Sequence, residues 1–261
     1  MYKKLITPNA SLNRKEGILL VACQLLVVML LWDFTNNTLF PRPLEIARAL
    51  VDLILHKGVF REFLKSIGLC TQAMFYAALV SLVLCYASVL PLFTSLALLG
   101  TKLRFLPTVG LTFLFLKIAG GDVDSQKVYL LVFGISVFFM TSILNIISGT
   151  TQDELNYART LRFSEWRVVW EVIILGKLGE VLEAIRQNFA MAWMMIAMVE
   201  NLCKSDGGIG VIISDQNKYF KFDYVWAIQL LILLTGICMD ILLRKVREWL
   251  LPYTMLTIKK R

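Results

Sequence analysis

The sequence predicts an all-α fold: a polytopic helical membrane protein with about six transmembrane helices, each needing roughly 20 apolar residues. Two features of composition predict it. Apolar residues make up 57% of the chain and charged residues 18%, against about 25% charged in ordinary globular domains. The mean hydropathy is +0.68. The third observation is pattern: near-unbroken apolar runs such as residues 73–99 alternate with short polar segments. A single large soluble core is the alternative, and those runs argue against it.

The net charge of +8 would suggest nucleic acid in a soluble protein. Here the basic residues lie between apolar segments, so they set topology and meet anionic lipid instead. Cys23, Cys70, Cys85, Cys203 and Cys238 form no Cys-x-x-Cys pair. They read as small buried apolar side chains, not as a metal or redox centre.

Residues 1–16 are polar and basic, a cytoplasmic N-terminal segment. The first span covers 17–32 and reads as retained, not as a cleaved signal. Pro41 and Pro43 stiffen its exit. Residues 44–55 form an amphipathic helix, with Leu44, Ala47, Leu50, Val51 and Ile54 as the apolar side and Gly58 near its end. A membrane-surface helix and one packed on the body of the protein fit this pattern equally well.

The second span lies in 67–90, with Pro91 bending or ending it. Residues 105–119 are apolar but short, and Pro107 and Gly110 predict an irregular, protein-covered segment. Gly120, Gly121, Asp122 and Asp124 form a turn before the strong span at 128–147. Residues 189–199 make a span only if the helix starts near 184–187 and finishes near Cys203. Gly207, Gly208 and Gly210 mark a flexible turn. The last span is 225–243, and 251–261 is a basic cytoplasmic tail. With both termini inside, the inside segments carry more Lys and Arg than the outside ones.

One polar block, residues 150–186, interrupts this oily chain. It falls on the cytoplasmic side. Asn156 to Arg162 reads as a short helix, and Ser164 caps a second one at Glu165. Trp166, Val169, Trp170 and Ile173 fall three or four apart and share an apolar face. Arg167 and Glu171 are spaced to pair. A helix pair with an aromatic knob and charged rim suits a groove on another protein; a loop that merely closes the bundle is the plainer reading.

Catalytic chemistry has little to stand on. There is no G-x-x-x-x-G-K-[ST] loop for phosphate. His56 has no ligand set around it, and Glu200 and Asp240 read first as structural carboxylates, Asp240 with Arg244 four residues on. Asn36 to Thr38 fits a glycosylation sequon too close to the membrane to inform function.

The block and its flanks resemble the inner-membrane permease subunits of ABC importers, in the nitrate, sulfonate, taurine and bicarbonate branch. That family carries a cytoplasmic E-A-A-R-T-L-G-A signature, then L-P, a second proline and G-L-R. Ala158, Arg159, Thr160 and Leu161 match; Leu175, Ile185 and Arg186 stand at later positions. Trp193 and Glu200 fall where the family has A-W and then A-E, and Gly208 and Gly210 resemble its G-x-G turn. Asn156 and Tyr157 replace Glu-Ala, Arg162 replaces the signature glycine, Gly176 and Gly179 replace the prolines, and Ala184 replaces the glycine before L-R. An arginine suits an ordinary helix, so a reshaped loop is expected at Arg162.

The resemblance implies a type I importer permease core over residues 17–250, in a bacterial inner membrane, with both termini cytoplasmic. It implies ATPase-coupling residues Asn156, Tyr157, Ala158, Arg159, Thr160, Leu161, Arg162, Ser164, Trp166 and Trp170. Trp193, Glu200, Gly208 and Gly210 are expected at a gate or in packing. The implied partners are a cytoplasmic ABC ATPase dimer, a second permease subunit, an external solute-binding protein and lipid. ATP and Mg would be used by the ATPase, with no cofactor on this chain. A membrane scaffold without a solute path and an ion-coupled secondary transporter are the rival readings; the latter would call for internal repeats, and none is seen.

Overall fold

In a computed structural model, the described residues are 14–34, 41–55, 58–203 and 207–252. All of their regular structure is helical. Eleven α-helices follow one another: α1 Arg14–Phe34, α2 Pro43–Leu55, α3 Val59–Ala87, α4 Pro91–Lys102, α5 Thr112–Ile118, α6 Val123–Ser148, α7 Gln152–Thr160, α8 Glu165–Val168, α9 Leu178–Cys203, α10 Ile209–Lys218 and α11 Phe222–Leu250. His56, the sequon at 36–38 and the tail from residue 253 lie outside the described residues.

Three helices, α3, α6 and α11, are long and apolar enough to cross a membrane by length and composition. The α4–α5 segment passes the same test only as a pair, bent by 105° between its helices, and counts as a fourth crossing if the pair is one broken span. The cause of the bend is Pro107, which forces Leu106 into an extended conformation (φ −76°, ψ 124°) between two 3-10 turns. This irregular span therefore begins at Pro91, in the first turn of α4, and not at residue 105. α1 and α9 have 21 and 26 residues. α1 has a shorter apolar stretch, Glu16–Leu30. α9 starts earlier than expected, at Leu178, and tolerates its charged residues because they sit near its two ends.

Hydrogen bonds fix the helix directions. The Ser81 hydroxyl donates to the Ser136 carbonyl (3.0 Å) and Cys85 Sγ to the Met140 carbonyl (3.6 Å), so α3 and α6 run parallel and the broken span makes the return. α9 runs back against α6, with Asn188 Nδ2 donating to Ser142 Oγ at 3.2 Å. α11 runs back against α9, where the Trp193 indole N–H meets the Ile232 carbonyl at 2.9 Å. One end of the bundle thus gathers the starts of α3, α6 and α11 with the end of α9. The polar block lies at the other.

The core is built from small and medium residues: Cys70, Ala73, Ala77, Leu130, Leu131, Ala192, Ile196 and Ala227 are nearly inaccessible. Small residues let helix backbones approach, which matters where lipid supplies no hydrophobic contrast. Leu25, Val83, Phe113, Leu233 and their like face outward, as a lipid-facing surface requires. Cys70 and Cys85 are buried as expected, whereas Cys23 and Cys238 are exposed.

α2 corrects the expected amphipathic side. Ile46, Ala49 and Leu53 are the buried residues, while Leu44, Val51 and Ile54 are exposed. The helix is apolar on two sides: one packs on the bundle, with Asp52 accepting a hydrogen bond from the Tyr224 hydroxyl (2.8 Å), and the other is left outward. Hydropathy periodicity does not tell which of two apolar stripes meets protein.

Candidate functional site

The polar block forms a compact platform at the end of α6. Thr151 begins α7 with a complete capping box: its hydroxyl accepts from the Glu154 N–H (3.3 Å), and the Glu154 carboxylate accepts from the Thr151 N–H (3.1 Å). That backbone hydrogen bond, helped by Lys177 at 3.4 Å, holds the Glu154 carboxyl below its usual range. Ala158 is the one buried residue of α7 and pins it down; Asn156, Tyr157, Arg159 and Thr160 face out.

α7 ends in a Schellman turn. The Arg162 N–H donates to the Arg159 carbonyl (2.9 Å) and the Phe163 N–H to the Ala158 carbonyl (3.4 Å). This turn needs a left-handed residue, and Arg162 takes it with φ +59°. The ordinary helical conformation expected of an arginine is not what is found here. The backbone has the conformation glycine prefers, and the arginine bears its steric strain.

The second arm is α8, joined to a π-helical turn at Val169–Leu175. Ser164 stands at the start of α8 as expected, but its side chain makes no capping hydrogen bond. The i→i+5 pattern of the π-turn changes which residues point inward. Val168 and Ile173, five apart, are buried, while Trp166 (67% exposed) and Trp170 (56% exposed) project outward. The face expected from 3.6-residue spacing is therefore split: Ile173 anchors the arm and the two indoles remain unpartnered. Gly176 closes the π-turn by donating to the Glu171 carbonyl (3.0 Å). A Cβ there would stand 2.5 Å from the Val172 carbonyl oxygen, and a proline would lose the donor.

Ion pairs tie the arms together. Arg159 grips Glu165 through two hydrogen bonds of 3.0 Å, which lowers the Glu165 pKa and raises that of Arg159. Arg167 lies 3.9 Å from Glu171, the expected pair, and 4.3 Å above the Phe163 ring. On this cross-linked surface Tyr157, Leu161, Trp166 and Trp170 are all exposed.

At the opposite end, Glu200 is 2% exposed. It accepts from the Ser66 hydroxyl (2.5 Å) and from the Gly210 N–H (2.8 Å). Ser66 in turn accepts from the Ile209 N–H (3.1 Å), and Glu62 from the Gly208 N–H (2.9 Å). The glycine turn is thus clamped by two carboxylates. A Cβ on Gly208 would come within 2.4 Å of the Glu200 carboxylate, and one on Gly210 within 2.0 Å of the Ala197 carbonyl oxygen. These glycines serve close approach, not flexibility. Glu62 and Ser66 were not legible as site residues; their only signal is an acid and a hydroxyl four apart at the start of an apolar helix. Trp193 is packed, with its ring edge-on to Phe63 at 5.9 Å.

Asp240 does not pair with Arg244. It holds Arg186 across the α9–α11 interface, and Arg247 reaches Glu183 at 2.6 Å. Arg186 lies nearer because α9 and α11 face each other here, which spacing along one helix does not show. Among the described residues no cluster of three or more His, Cys, Asp or Glu could hold a metal ion.

Residues 49–250 match the family described as binding-protein-dependent transport system inner membrane component. The chain is 25% identical over 246 residues to the "Putative aliphatic sulfonates transport permease protein SsuC" of Bacillus subtilis (strain 168), covering 90% of this chain and 87% of that protein. It is 24% identical over 130 residues to the taurine transport system permease protein TauC of Escherichia coli (strain K12), covering 50% and 47% respectively. A solved structure described as "Crystal structure of an amino acid ABC transporter with histidines" superposes with a TM-score of 0.61 at 16% identity. It covers 77% of this chain and 96% of that one, a likeness of fold.

Proposed function

The chain belongs to the family of binding-protein-dependent transport system inner-membrane components, and from that premise we propose how this permease subunit of an ATP-driven importer works and what it carries. The polar block is its grip on a cytoplasmic ATPase dimer, which binds the ATP and Mg. A second copy of the chain completes the path, and an external solute-binding protein delivers the solute. The membrane is the bacterial inner membrane, with both termini cytoplasmic. The permease performs no bond chemistry; it carries the ATPase's closure into a change of access between two sides.

The observation that carries this reading is the unpartnered aromatic surface of Tyr157, Trp166 and Trp170 on arms locked by the capping box and the Arg159–Glu165 pair. Exposed indoles on rigid supports are the usual anchors of protein interfaces. Replacing Trp166 with Glu is expected to leave the chain in the membrane and uncouple it from the ATPase. A variant that co-purifies with a fully stimulated ATPase overturns the assignment.

The solute is a small sulfonate: the name of SsuC gives aliphatic sulfonates and that of TauC gives taurine, which carries a sulfonate group. Cells depending on this transporter should accumulate labelled taurine or an alkanesulfonate and lose that uptake when the chain is deleted. Uptake of nitrate or bicarbonate instead would move the assignment to another solute of the same branch.

A further inference from the structure

Two non-glycine residues among those described have a positive φ, Arg162 and Phe220. A side chain in that conformation is a steric cost that glycine would remove. At Arg162 it is met in the middle of the surface just assigned to the ATPase. Local strain persists at sites where the side chain has a use.

The neighbouring charges show what that use is. Arg159 is engaged by Glu165, and Arg167 by Glu171 and the Phe163 ring. Lys177 is held by Glu154 and Glu180. The Arg162 side chain is exposed and, among the described residues, has no hydrogen-bond or ion-pair partner. It is the one uncommitted guanidinium at the tip of the platform, and the Schellman turn fixes the direction in which it leaves the backbone. Tyr157 (69% exposed) and Leu161 (52% exposed) flank it on α7 and its cap. Such an apolar rim excludes water on docking and strengthens a charge pair at its centre.

We propose that Arg162 is a partner-selecting residue: it pairs with an acidic side chain in the docking groove of this transporter's own ATPase, and that pair discriminates against ATPases with a neutral or basic group there. The planar fork of five donors matches a carboxylate with two parallel hydrogen bonds. This rests on the reading of the polar block as the ATPase contact, and deepens it by naming the chemistry of the partner surface.

The test uses the full transporter complex, captured through a tag on the permease in detergent, with retained ATPase measured against NaCl. Arg162→Gly keeps the turn and removes the side chain with its charge; Arg162→Asn also keeps the turn, since asparagine tolerates the left-handed region, and puts a short neutral side chain in place of the guanidinium. Both variants are expected to bind the ATPase about tenfold more weakly at low salt, with a shallower salt dependence, as for loss of a close interfacial charge pair. Arg162→Glu should bind more weakly still. Equal affinity and equal salt slope for wild type and both neutral variants overturn the proposal while the docking reading stands. Loss in only one neutral variant also overturns it, because the charge is absent from both. If Trp166→Glu retains the ATPase as wild type does, the docking surface itself is wrong and the proposal falls with it.

Discussion

Glu200 is a carboxylate whose oxygens are both spoken for. One accepts from the Ser66 hydroxyl and the other from the Gly210 N–H. Replacing it with Ala leaves two buried donors without acceptors, each costing about 1–3 kcal/mol. Glu200→Gln retains one acceptor but turns an NH2 group toward a donor. Thermal unfolding in detergent should therefore rank the proteins as wild type, then Glu200→Gln, then Glu200→Ala. An alanine variant as stable as wild type would show that the clamp contributes nothing. None of this was readable in advance. The sequence shows an acid near the end of a helix and glycines after it, but one of the two partners, Ser66, comes from α3, more than a hundred residues away in the chain.

The capping box of α7 starts that helix at Gln152, four residues ahead of the Asn156 that the sequence reading gives. Thr151 and Glu154 have the required spacing, and Thr151→Ala is expected to cost about 1 kcal/mol. The Glu154 carboxyl is lowered by the hydrogen bond from the Thr151 N–H and by Lys177. Folding thus favours its ionised form. Its contribution is complete above about pH 4.3, the ordinary glutamate value, and is lost as the pH falls through the lower folded value. Glu154→Gln should flatten the acid limb of a melting-temperature profile; an unchanged limb would locate the acid sensitivity elsewhere. Spans were legible because twenty apolar residues in a row have few other fates. The π-turn was not, because its inward positions follow a five-residue interval that looks like noise against helical spacing. Nor was the strain at Arg162, since residue identity argued for the opposite backbone. The α2 side was misread because two apolar stripes compete there.

For the whole molecule, the bundle has two chemically different ends. The polar platform marks one; the Glu62–Glu200 clamp, the Asp52–Tyr224 bond and the Trp32–Trp226 ring contact at 5.5 Å mark the other. The proposed orientation puts the platform in the cytosol. A cysteine at Tyr157 should react with a membrane-impermeant maleimide only in inverted vesicles, and one at Tyr219 only in intact cells freed of an outer wall. The reverse pattern would place the platform outside and end the importer orientation.

The absence of clearance at Gly210 has a mechanical meaning. With no room for even a methyl group against Ala197, α10 cannot slide on α9, and the Glu200 clamp ties that junction to α3 as well. α9 begins beside the platform and spans 26 residues, about 39 Å at 1.5 Å per residue. In the proposed mechanism it serves as a connecting rod: a tilt imposed at its lower end is carried to the upper one, where the glycine junction hands it to two neighbours at once.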